Sequence, residues 1–521
     1  MFQKNLATGL LLLASTALAS CAVNPVTGRN ELSLVSEAQE RAIGAEQYGP
    51  SRQSQGGDFN VDEALTNYVN AVGQRIAAVS DRDLDYEFVV LNNSVPNAWA
   101  LPGGKIAVNR GLLTELNSEA ELAAVLGHEV VHAAARHGAQ AITRGTVLQS
   151  ALVVGAIAAR DNDYADYIVG AGQLGAQLIT QRYGREAERE ADYYGIQYMV
   201  RAGYDPRAAV SLQETFVRLS EGRASGWLDG LFASHPPSKE RVMNNQALVD
   251  ELMPGLQGRD LETGEVRYRQ ALAFLQDNAD AYDLFDEAHS AIADDDFDIA
   301  LLNLDAAIDM LPAEPRFYGL KGDILLYQDK YSDAVDAYDD AIALDDNYFD
   351  YYLGRGVSYA RLGQRTQARS DLERSTALLP TAVAMNELGK IALVNNERQA
   401  AKQYFLEAAQ AQGQVAREAA LSFTRIDLED NPRAYLSAEV YADAEGRIYA
   451  RVSNSSSLPV EAVTVEFAAV IGGRLGRQTR TVSTLGGNSA VTVSSGLRFA
   501  DGQPWSADQM QASVVSARVR D

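Results

Sequence analysis

A 34-residue repeat constrains the fold of the middle of this chain more than any other feature. Small residues recur in four successive segments at spacings of 34, 34 and 33 residues, at Ala288, Gly322, Gly356 and Gly389. Further small residues stand 12 and 19 residues after each of them. Since small residues at this period let helix pairs stack on one another, we predict about four helix pairs between roughly residues 280 and 412.

This period is typical of tetratricopeptide repeats, which form an α-solenoid with a concave face that commonly binds protein segments. The same region carries much of the acidic charge: between Asp277 and Asp350 there are 21 acidic and three basic residues, or −18 of the net −25. The net charge argues against nucleic acid as a partner and against binding to anionic lipid by charge.

A second feature is His128-Glu129-Val130-Val131-His132, an HExxH motif. Ser118 and Glu121 form a capping box, which predicts that the surrounding helix begins at Ser118. Residues four apart share one face of a helix, so the two histidines can bind one zinc ion and Glu129 can act as general base. The alternative is a pair of helix-surface histidines without a metal.

Two residues after the motif affect this helix. Gly138 offers a stop or a bend. His137 lies five positions after His132, which on a continuous helix is about 140° away. We therefore interpret His137 as a polar surface or capping residue and not as a ligand.

A catalytic zinc ion usually has three protein ligands and an open position. Downstream, one face of a predicted helix holds two acids and two small residues: Glu188, Ala191, Asp192 and Gly195. The small residues would let this helix pack closely on the first, with Glu188 reaching the metal and Asp192 orienting a ligand histidine. The alternative is a solvated charged face, which is the interpretation we favour for Glu186 and Glu190.

HExxH followed by this Glu188…Asp192 spacing resembles metallopeptidase family 48, a family of gluzincins, over roughly residues 25 to 250. The resemblance implies one zinc ion per chain, held by His128, His132 and Glu188, with Asp192 as the supporting acid. It also implies hydrolysis of peptide bonds.

Two further segments resemble the family. The segment Asn97–Val108 looks like the strand and turn before the motif helix, where an extended peptide would bind by strand addition; its expected substrate-binding residues are Asn97, Ala98, Gly103 and Gly104. The segment from His235 to Arg241 looks like the family's His-Pro…Arg segment. The resemblance implies that His235 approaches the zinc and that Arg241 lies near it, so that one of them would steady the oxyanion.

The amino terminus is expected to be a targeting segment. Lys4 precedes an apolar stretch, and Leu18-Ala19-Ser20-Cys21 matches a bacterial lipobox. Cys21 is the only cysteine, so we expect residues 1–20 to be a signal peptide and lipid to attach at Cys21. Because Ala22 follows, resemblance to Gram-negative lipoproteins favours the periplasmic (inner) leaflet of the outer membrane.

Two uncharged runs, 145–159 and 167–181, lie between the motif and Glu188. Each is 15 residues long, whereas a membrane span needs about 20 apolar residues. We interpret them as helices packed on the catalytic core. After Asn431-Pro432 the apolar pattern changes to period two, which predicts a small β-sandwich for docking or packing.

We therefore expect a multidomain, mainly α chain. After a lipidated tail (21–45) come a zinc metallopeptidase domain with a small β-sheet (46–255), a tetratricopeptide α-solenoid (270–430) and a C-terminal β-sandwich (435–521). The expected function is that of a periplasmic, membrane-anchored zinc endopeptidase for unfolded or misassembled envelope proteins, with outer-membrane assembly machinery as partner through the repeats. The alternative is a non-enzymatic chaperone or assembly scaffold for outer-membrane proteins acting through the repeats.

Overall fold

The computed structural model describes residues 21–145, 183–222, 235–499 and 506–520. The predicted signal peptide and both uncharged runs, apart from Gly145, lie outside the described residues. The described residues form two compact units. One holds the described residues up to Leu362 with Ala377–Leu379, and the other holds Gly363–Thr376 and the described residues from Pro380 onwards.

The first unit begins with a mixed α and β region. Its elements up to the HExxH motif are β1 Cys21–Val23, β2 Asn30–Leu32, α1 Glu37–Ser54, α2 Glu63–Ala77, β3 Glu87–Leu91, β4 Ala98–Leu101, β5 Lys105–Asn109, α3 Arg110–Leu113 and α4 Glu119–Ala134. Residues 137–145 are also helical. After these come α5 Arg185–Arg201, α6 Arg207–Gly222, α7 Lys239–Leu252, a 3₁₀ turn at Met253–Leu256, α8 Glu265–Ala271 and α9 Ala273–Asp277.

A three-stranded sheet lies beside the motif helix. Its order is β3-β5-β4, with β3 parallel and β4 antiparallel to β5, so β4 is an edge strand among the described residues. The β4–β5 turn is made by Gly103 and Gly104, whose φ values of 82° and 90° require glycine. A separate antiparallel hairpin is formed by β1 and β2, and we call residues 21–32 the N-terminal hairpin.

The motif helix α4 begins as the capping signal predicts. The Ser118 side chain accepts a hydrogen bond from the Glu121 backbone N–H at 3.1 Å. The Glu121 carboxylate accepts from the backbone N–H of Asn117 at 2.7 Å, one residue earlier than an ordinary capping box. All 16 residues of α4 are buried, so this helix is the centre of the unit.

The chain bends after α4 at Arg136, two residues before the predicted position Gly138. Arg136 has a φ of 63°, a left-handed conformation that is costly for a residue with a Cβ. Its guanidinium donates to Glu40 and to the Val35 carbonyl, both at 2.8 Å. These two contacts hold the strained turn in place.

The predicted helical repeats are confirmed. Four helix pairs follow one another: α10 Ala279–Ala293, α11 Phe297–Met310, α12 Pro315–Tyr327, α13 Tyr331–Leu344, α14 Phe349–Arg361, α15 Arg365–Leu378, α16 Ala382–Val394 and α17 Arg398–Ala408. The small residues of the period are buried, and those 12 residues into each repeat have no exposed surface: Ala300, Ala334, Ala368 and Ala401. Helices α18 Gln414–Asp430 and α19 Pro432–Tyr435 follow the last pair.

The first repeats share a core with the region that carries the motif. One cluster of buried apolar side chains includes Phe59 at one end of this region and Ile324 in α12. The fully buried carboxylate of Glu314 accepts hydrogen bonds from Asn92 and from the Tyr282 hydroxyl, both at 2.8 Å. Packing is therefore continuous across the boundary that we expected between residues 255 and 270.

The predicted β-sandwich is present in the second unit. Its strands are β6 Leu436–Ala442, β7 Arg447–Asn454, β8 Val460–Ile471, β9 Arg474–Leu485, β10 Ser489–Arg498 and β11 Met510–Val519. They form two antiparallel three-stranded sheets, β10-β7-β6 and β11-β8-β9, and alternating apolar residues from both sheets make one core. In the part of the chain that the structure describes, no helix combines the length and apolarity that crossing a bilayer requires.

We predict that Gly322→Ala destabilises the first unit. The added methyl carbon would lie 2.7 Å from the ring of Tyr338, which is fully buried and whose hydroxyl donates to Asp323 at 2.6 Å. Overpacking of this kind costs about 1–3 kcal/mol, more than the gain of about 1 kcal/mol from helix propensity. Thermal unfolding followed by circular dichroism should show a lower midpoint.

Gly49→Ala is the matched control. Gly49 lies in α1 and is exposed, and apart from its chain neighbours and its own helix no described atom lies within 4 Å of an added methyl group. Its midpoint should fall less than that of Gly322→Ala, and equal losses in both variants would contradict the packing account of the repeat.

Candidate metal centre

Four buried side chains converge on one point: His128 and His132 from α4, Glu188 from α5 and His235 from the segment before α7. Nε2 of His128 lies 3.0 Å from Nε2 of His132 and 3.2 Å from Nδ1 of His235. The Glu188 carboxylate lies 3.0 Å from Nδ1 of His235 and 3.4 Å from Nε2 of each motif histidine.

These distances fit one tetrahedral metal ion. Metal–ligand bonds of about 2.0–2.1 Å place neighbouring ligand atoms of a tetrahedron about 3.3 Å apart. Five distances between these side chains are 3.0–3.4 Å, with Oε1 of Glu188 nearest to His132 and His235 and Oε2 nearest to His128. Three imidazoles and one carboxylate are also a donor set typical of a transition metal and not of magnesium or calcium.

Close packing of α4 on α5 brings Glu188 to the histidines. A Cβ at Gly195 would lie 3.1 Å from the backbone N of His128, and a Cβ at Gly127 would lie 3.1 Å from the Gly195 carbonyl oxygen. The backbones of the two helices are therefore in contact. Ala191, one turn before Gly195, has no exposed surface. The predicted face of two acids and two small residues is the face that meets α4.

Glu129 faces the same point. It is 2% exposed, and its Oε1 lies 3.6 Å from Nε2 of His235. Its Oε2 is buried without a hydrogen-bond partner among the described residues. A buried carboxylate oxygen without a partner is costly, so a ligand of this site is expected to complete it.

Asp192 and Arg241 support His128. Nδ1 of His128 lies 3.0 Å from Asp192, whose two oxygens accept from Arg241 at 2.7 Å each. Arg241 also lies 3.3 Å from Glu188. Burial would raise the pKa of Asp192, but the guanidinium of Arg241 lowers it to about 2. Arg241 is thus engaged by the two acids, while His235 is the histidine next to Glu129.

The site favours a positive charge among the four donors. Burial lowers the pKa of His128, but the carboxylates of Glu188 and Asp192 outweigh burial and raise it to about 10. Burial lowers the pKa of His132 well below its usual range. Burial opposes ionisation of Glu188, yet His235 and His128 bring the pKa of its carboxyl well below the ordinary value. A dipositive ion would supply the same charge and displace the proton of His128, because metals bind the neutral imidazole.

His137 and Glu190 were wrongly assigned to the surface. His137 is 2% exposed, and its Nδ1 lies 2.9 Å from Nδ1 of His132. The angle of a continuous helix does not apply, because the left-handed residue Arg136 breaks the helix between the two histidines. Glu190 lies 3.3 Å from Nε2 of His137 and is largely buried, whereas Glu186 is exposed as expected.

Tyr183 was also missed by sequence reasoning. Its ring stacks on His132 with centroids 4.1 Å apart. No local pattern in the sequence points to this contact, because Tyr183 precedes α5 and meets α4 only in the folded chain.

A narrow cleft opens beside His128 and Glu129. Its walls are mainly apolar and include Ala98, Ala124, Val125, Ile196, Leu212 and Phe216. Of the four residues expected to bind substrate, Ala98 at the start of β4 lines this cleft. Asn97 does not line it, and Gly103 and Gly104 lie at the other end of β4, in the turn.

Comparisons with known proteins agree with this geometry. Residues 63–249 match the family description of peptidase family M48, and residues 322–363 match a TPR repeat. The mitochondrial metalloendopeptidase OMA1 of Schizosaccharomyces pombe is 35% identical over 241 residues, which cover 45% of this chain and 66% of that protein. The chain thus spans just under two thirds of the length of that relative.

Two bacterial relatives are also similar. The beta-barrel assembly-enhancing protease of Escherichia coli is 25% identical over 340 residues, covering 60% of this chain and 69% of that protein. The metalloprotease LoiP of Escherichia coli is 30% identical over 186 residues, covering 34% of this chain and 67% of that protein. The chain therefore belongs to peptidase family M48, a family of metal-dependent endopeptidases.

Proposed function

We propose that this protein is a zinc-dependent endopeptidase that cleaves unfolded or misassembled proteins of the bacterial envelope. The observation that carries the proposal is the buried Oε2 of Glu129, which has no hydrogen-bond partner among the described residues and faces four potential metal ligands at the end of an apolar cleft. Two imidazoles with one carboxylate are the protein ligands of zinc in metallopeptidases such as thermolysin.

His128, His132 and Glu188 would hold the ion. All three come from two helices in backbone contact, whereas His235 comes from a separate segment. A catalytic zinc ion needs an open position. We therefore propose that the fourth position on the ion is the one next to His235. The His235 side chain would have to turn away when a substrate carbonyl binds there.

Zinc bound here would lower the pKa of a water molecule and polarise the scissile carbonyl. Glu129 is placed to accept the proton of the attacking water at Oε2 and to deliver it to the leaving amine. His235 lies beside Glu129, with Nε2 3.6 Å from its carboxylate, and after turning from the ion it would stay close enough to donate to the developing oxyanion. Asp192, fixed by Arg241, holds the ring of His128 in the orientation that directs Nε2 at the ion.

The substrate would bind along β4. This strand is an edge of its sheet, and Ala98 at its start lines the cleft beside Glu129. An extended peptide added to β4 would therefore pass the general base. The apolar walls would take an apolar side chain, which unfolded proteins expose and folded proteins bury.

The envelope location rests on the amino-terminal pattern and on a relative. A lipobox ends at Cys21, so we propose lipid attachment there, in the periplasm, on the inner leaflet of the outer membrane. One relative is a beta-barrel assembly-enhancing protease, which supports clients of that class. The repeats would hold clients or assembly machinery in their concave face.

We predict that Glu188→Ala loses most of its zinc. Removal of a ligand leaves two histidines on one helix, so elemental analysis after zinc-replete purification should give far less than the one zinc per chain of the wild type. Glu186→Ala, on the exposed side of the same helix, is the control and should keep its zinc. Equal zinc content in both variants would remove Glu188 from the site.

We predict that Glu129→Gln keeps zinc but cleaves at least about 10²-fold more slowly, because the amide cannot take the proton of the attacking water. Mass spectrometry of an unfolded outer-membrane β-barrel protein, incubated with each form, measures the rate. Cleavage equal to the wild type would contradict the mechanism. The scaffold alternative makes a different prediction. Glu129→Gln would then keep full biological function, and a variant that lacks residues 280–412 would lose it.

A further inference from the structure

We propose that His137 and Glu190 are positioning residues for the metal ligand His132, and that the N-terminal hairpin holds Glu190 through Asn24 and the helix of His137 through Glu31. The inference rests on the proposed metal site and assigns a role to residues outside its ligand set. It makes the N-terminal hairpin, which lies far before the motif in the sequence, part of the support of the metal centre.

The two ring nitrogens of His132 have different neighbours. Nε2 faces the other donors, 3.0 Å from Nε2 of His128, and Nδ1 lies on the far side, 2.9 Å from Nδ1 of His137. A metal ligand must present a bare Nε2, so the hydrogen of His132 is on Nδ1 and is donated to Nδ1 of His137.

The other ring nitrogen of His137 faces the carboxylate of Glu190. Because its Nδ1 accepts from His132, its hydrogen is on Nε2, which lies 3.3 Å from Oε1 of Glu190. The carboxylate of Glu190 accepts this hydrogen and fixes the tautomer of both rings. Ligand histidines usually donate directly to a carboxylate, and here a second imidazole stands between them.

The N-terminal hairpin fixes Glu190. Asn24 is 1% exposed, and its side-chain amide donates to Glu190 and to Glu31, both at 3.0 Å. Its carbonyl oxygen accepts from the backbone N–H groups of Val26 and Thr27, at 3.0 and 3.2 Å. The turn of the hairpin therefore sets the direction of the amide that holds Glu190.

The second carboxylate of this hairpin is also held. The Glu31 side chain accepts a hydrogen bond from Gln140, in the helical segment that carries His137. The hairpin is thus joined both to α5, through Glu190, and to the helix after the motif. A shift of the hairpin would therefore disturb Glu190 or the helical segment that carries His137.

The left-handed backbone turn at Arg136 places His137 next to His132. A left-handed φ of 63° is costly for arginine, and Glu40 and Val35 hold it there. Without this turn, a continuous helix would carry His137 away from His132 by about 140°. Both motif histidines are then backed by an acid: His128 directly by Asp192, and His132 through His137 by Glu190.

The test measures zinc affinity of the full chain by competition with a chromogenic chelator. Glu190→Ala and His137→Ala are each expected to bind zinc about 10–100-fold more weakly, the usual effect of losing such support. Asn24→Ala should weaken binding less, because Glu190 keeps its contact with His137. His137→Gln should restore much of the affinity, since one amide can accept from His132 and donate to Glu190.

The matched control is Glu186→Ala, an exposed acid one turn before Glu190 on the same helix. Its contact with the hairpin is a solvent-exposed ion pair with Arg29 at 3.7 Å, and since such pairs contribute little, the variant should leave zinc affinity nearly unchanged. Thermal unfolding of the metal-free forms shows whether each variant is folded. If Glu190→Ala fails to fold, the nearly isosteric Glu190→Gln takes its place in the test. Cobalt(II) absorption bands should shift in Glu190→Gln but not in Glu186→Ala.

The outcomes separate the two proposals. Wild-type zinc affinity in folded Glu190→Ala, Glu190→Gln and His137→Ala would overturn this inference and leave the peptidase proposal intact. A wild type that binds no zinc would overturn both. Equal losses in Glu190→Ala and in Glu186→Ala would assign the effect to net charge and also overturn the inference.

Discussion

The contact between Gly127 and Gly195 is the constraint on which the metal centre depends. Either residue with a side chain would separate α4 from α5, because an added Cβ would lie 3.1 Å from backbone atoms of the other helix. Glu188 lies two turns before Gly195, so the separation of the helices sets its distance to both motif histidines. The buried charges of Asp192 and Arg241 sit at the same crossing, and they are paired there because an isolated buried charge is too costly.

The features that sequence predicted well are those with a local period. The HExxH spacing, the face from Glu188 to Gly195 and the 34-residue repeat each place residues on one side of a helix, and helix geometry fixes that relation before any tertiary contact forms. The cap at Ser118 followed in the same way. Family resemblance added His235 and Arg241, whose approach to the site depends on the path of a loop.

The features that sequence missed depend on one backbone angle and on distant contacts. An arginine gives no sign that it will adopt a left-handed conformation, so His137 was placed by the geometry of an unbroken helix. The hydrogen bond between Asn24 and Glu190 spans 166 residues, and no pattern near either residue indicates it. The continuous core between the motif region and the first repeats was not predicted either. It depends on which helix faces pack together in the folded chain, and the sequence pattern of each helix does not show this.

Direct observation of the metal coordination would test the central claim that buried histidines and a carboxylate hold one zinc ion. X-ray absorption at the zinc edge of the zinc-loaded full chain measures ligand type and distance. The account predicts four nitrogen or oxygen ligands at about 2.0–2.1 Å, with the outer-shell signal of at least two imidazoles. A sulfur ligand, a six-coordinate oxygen shell or the absence of an imidazole signal would contradict it.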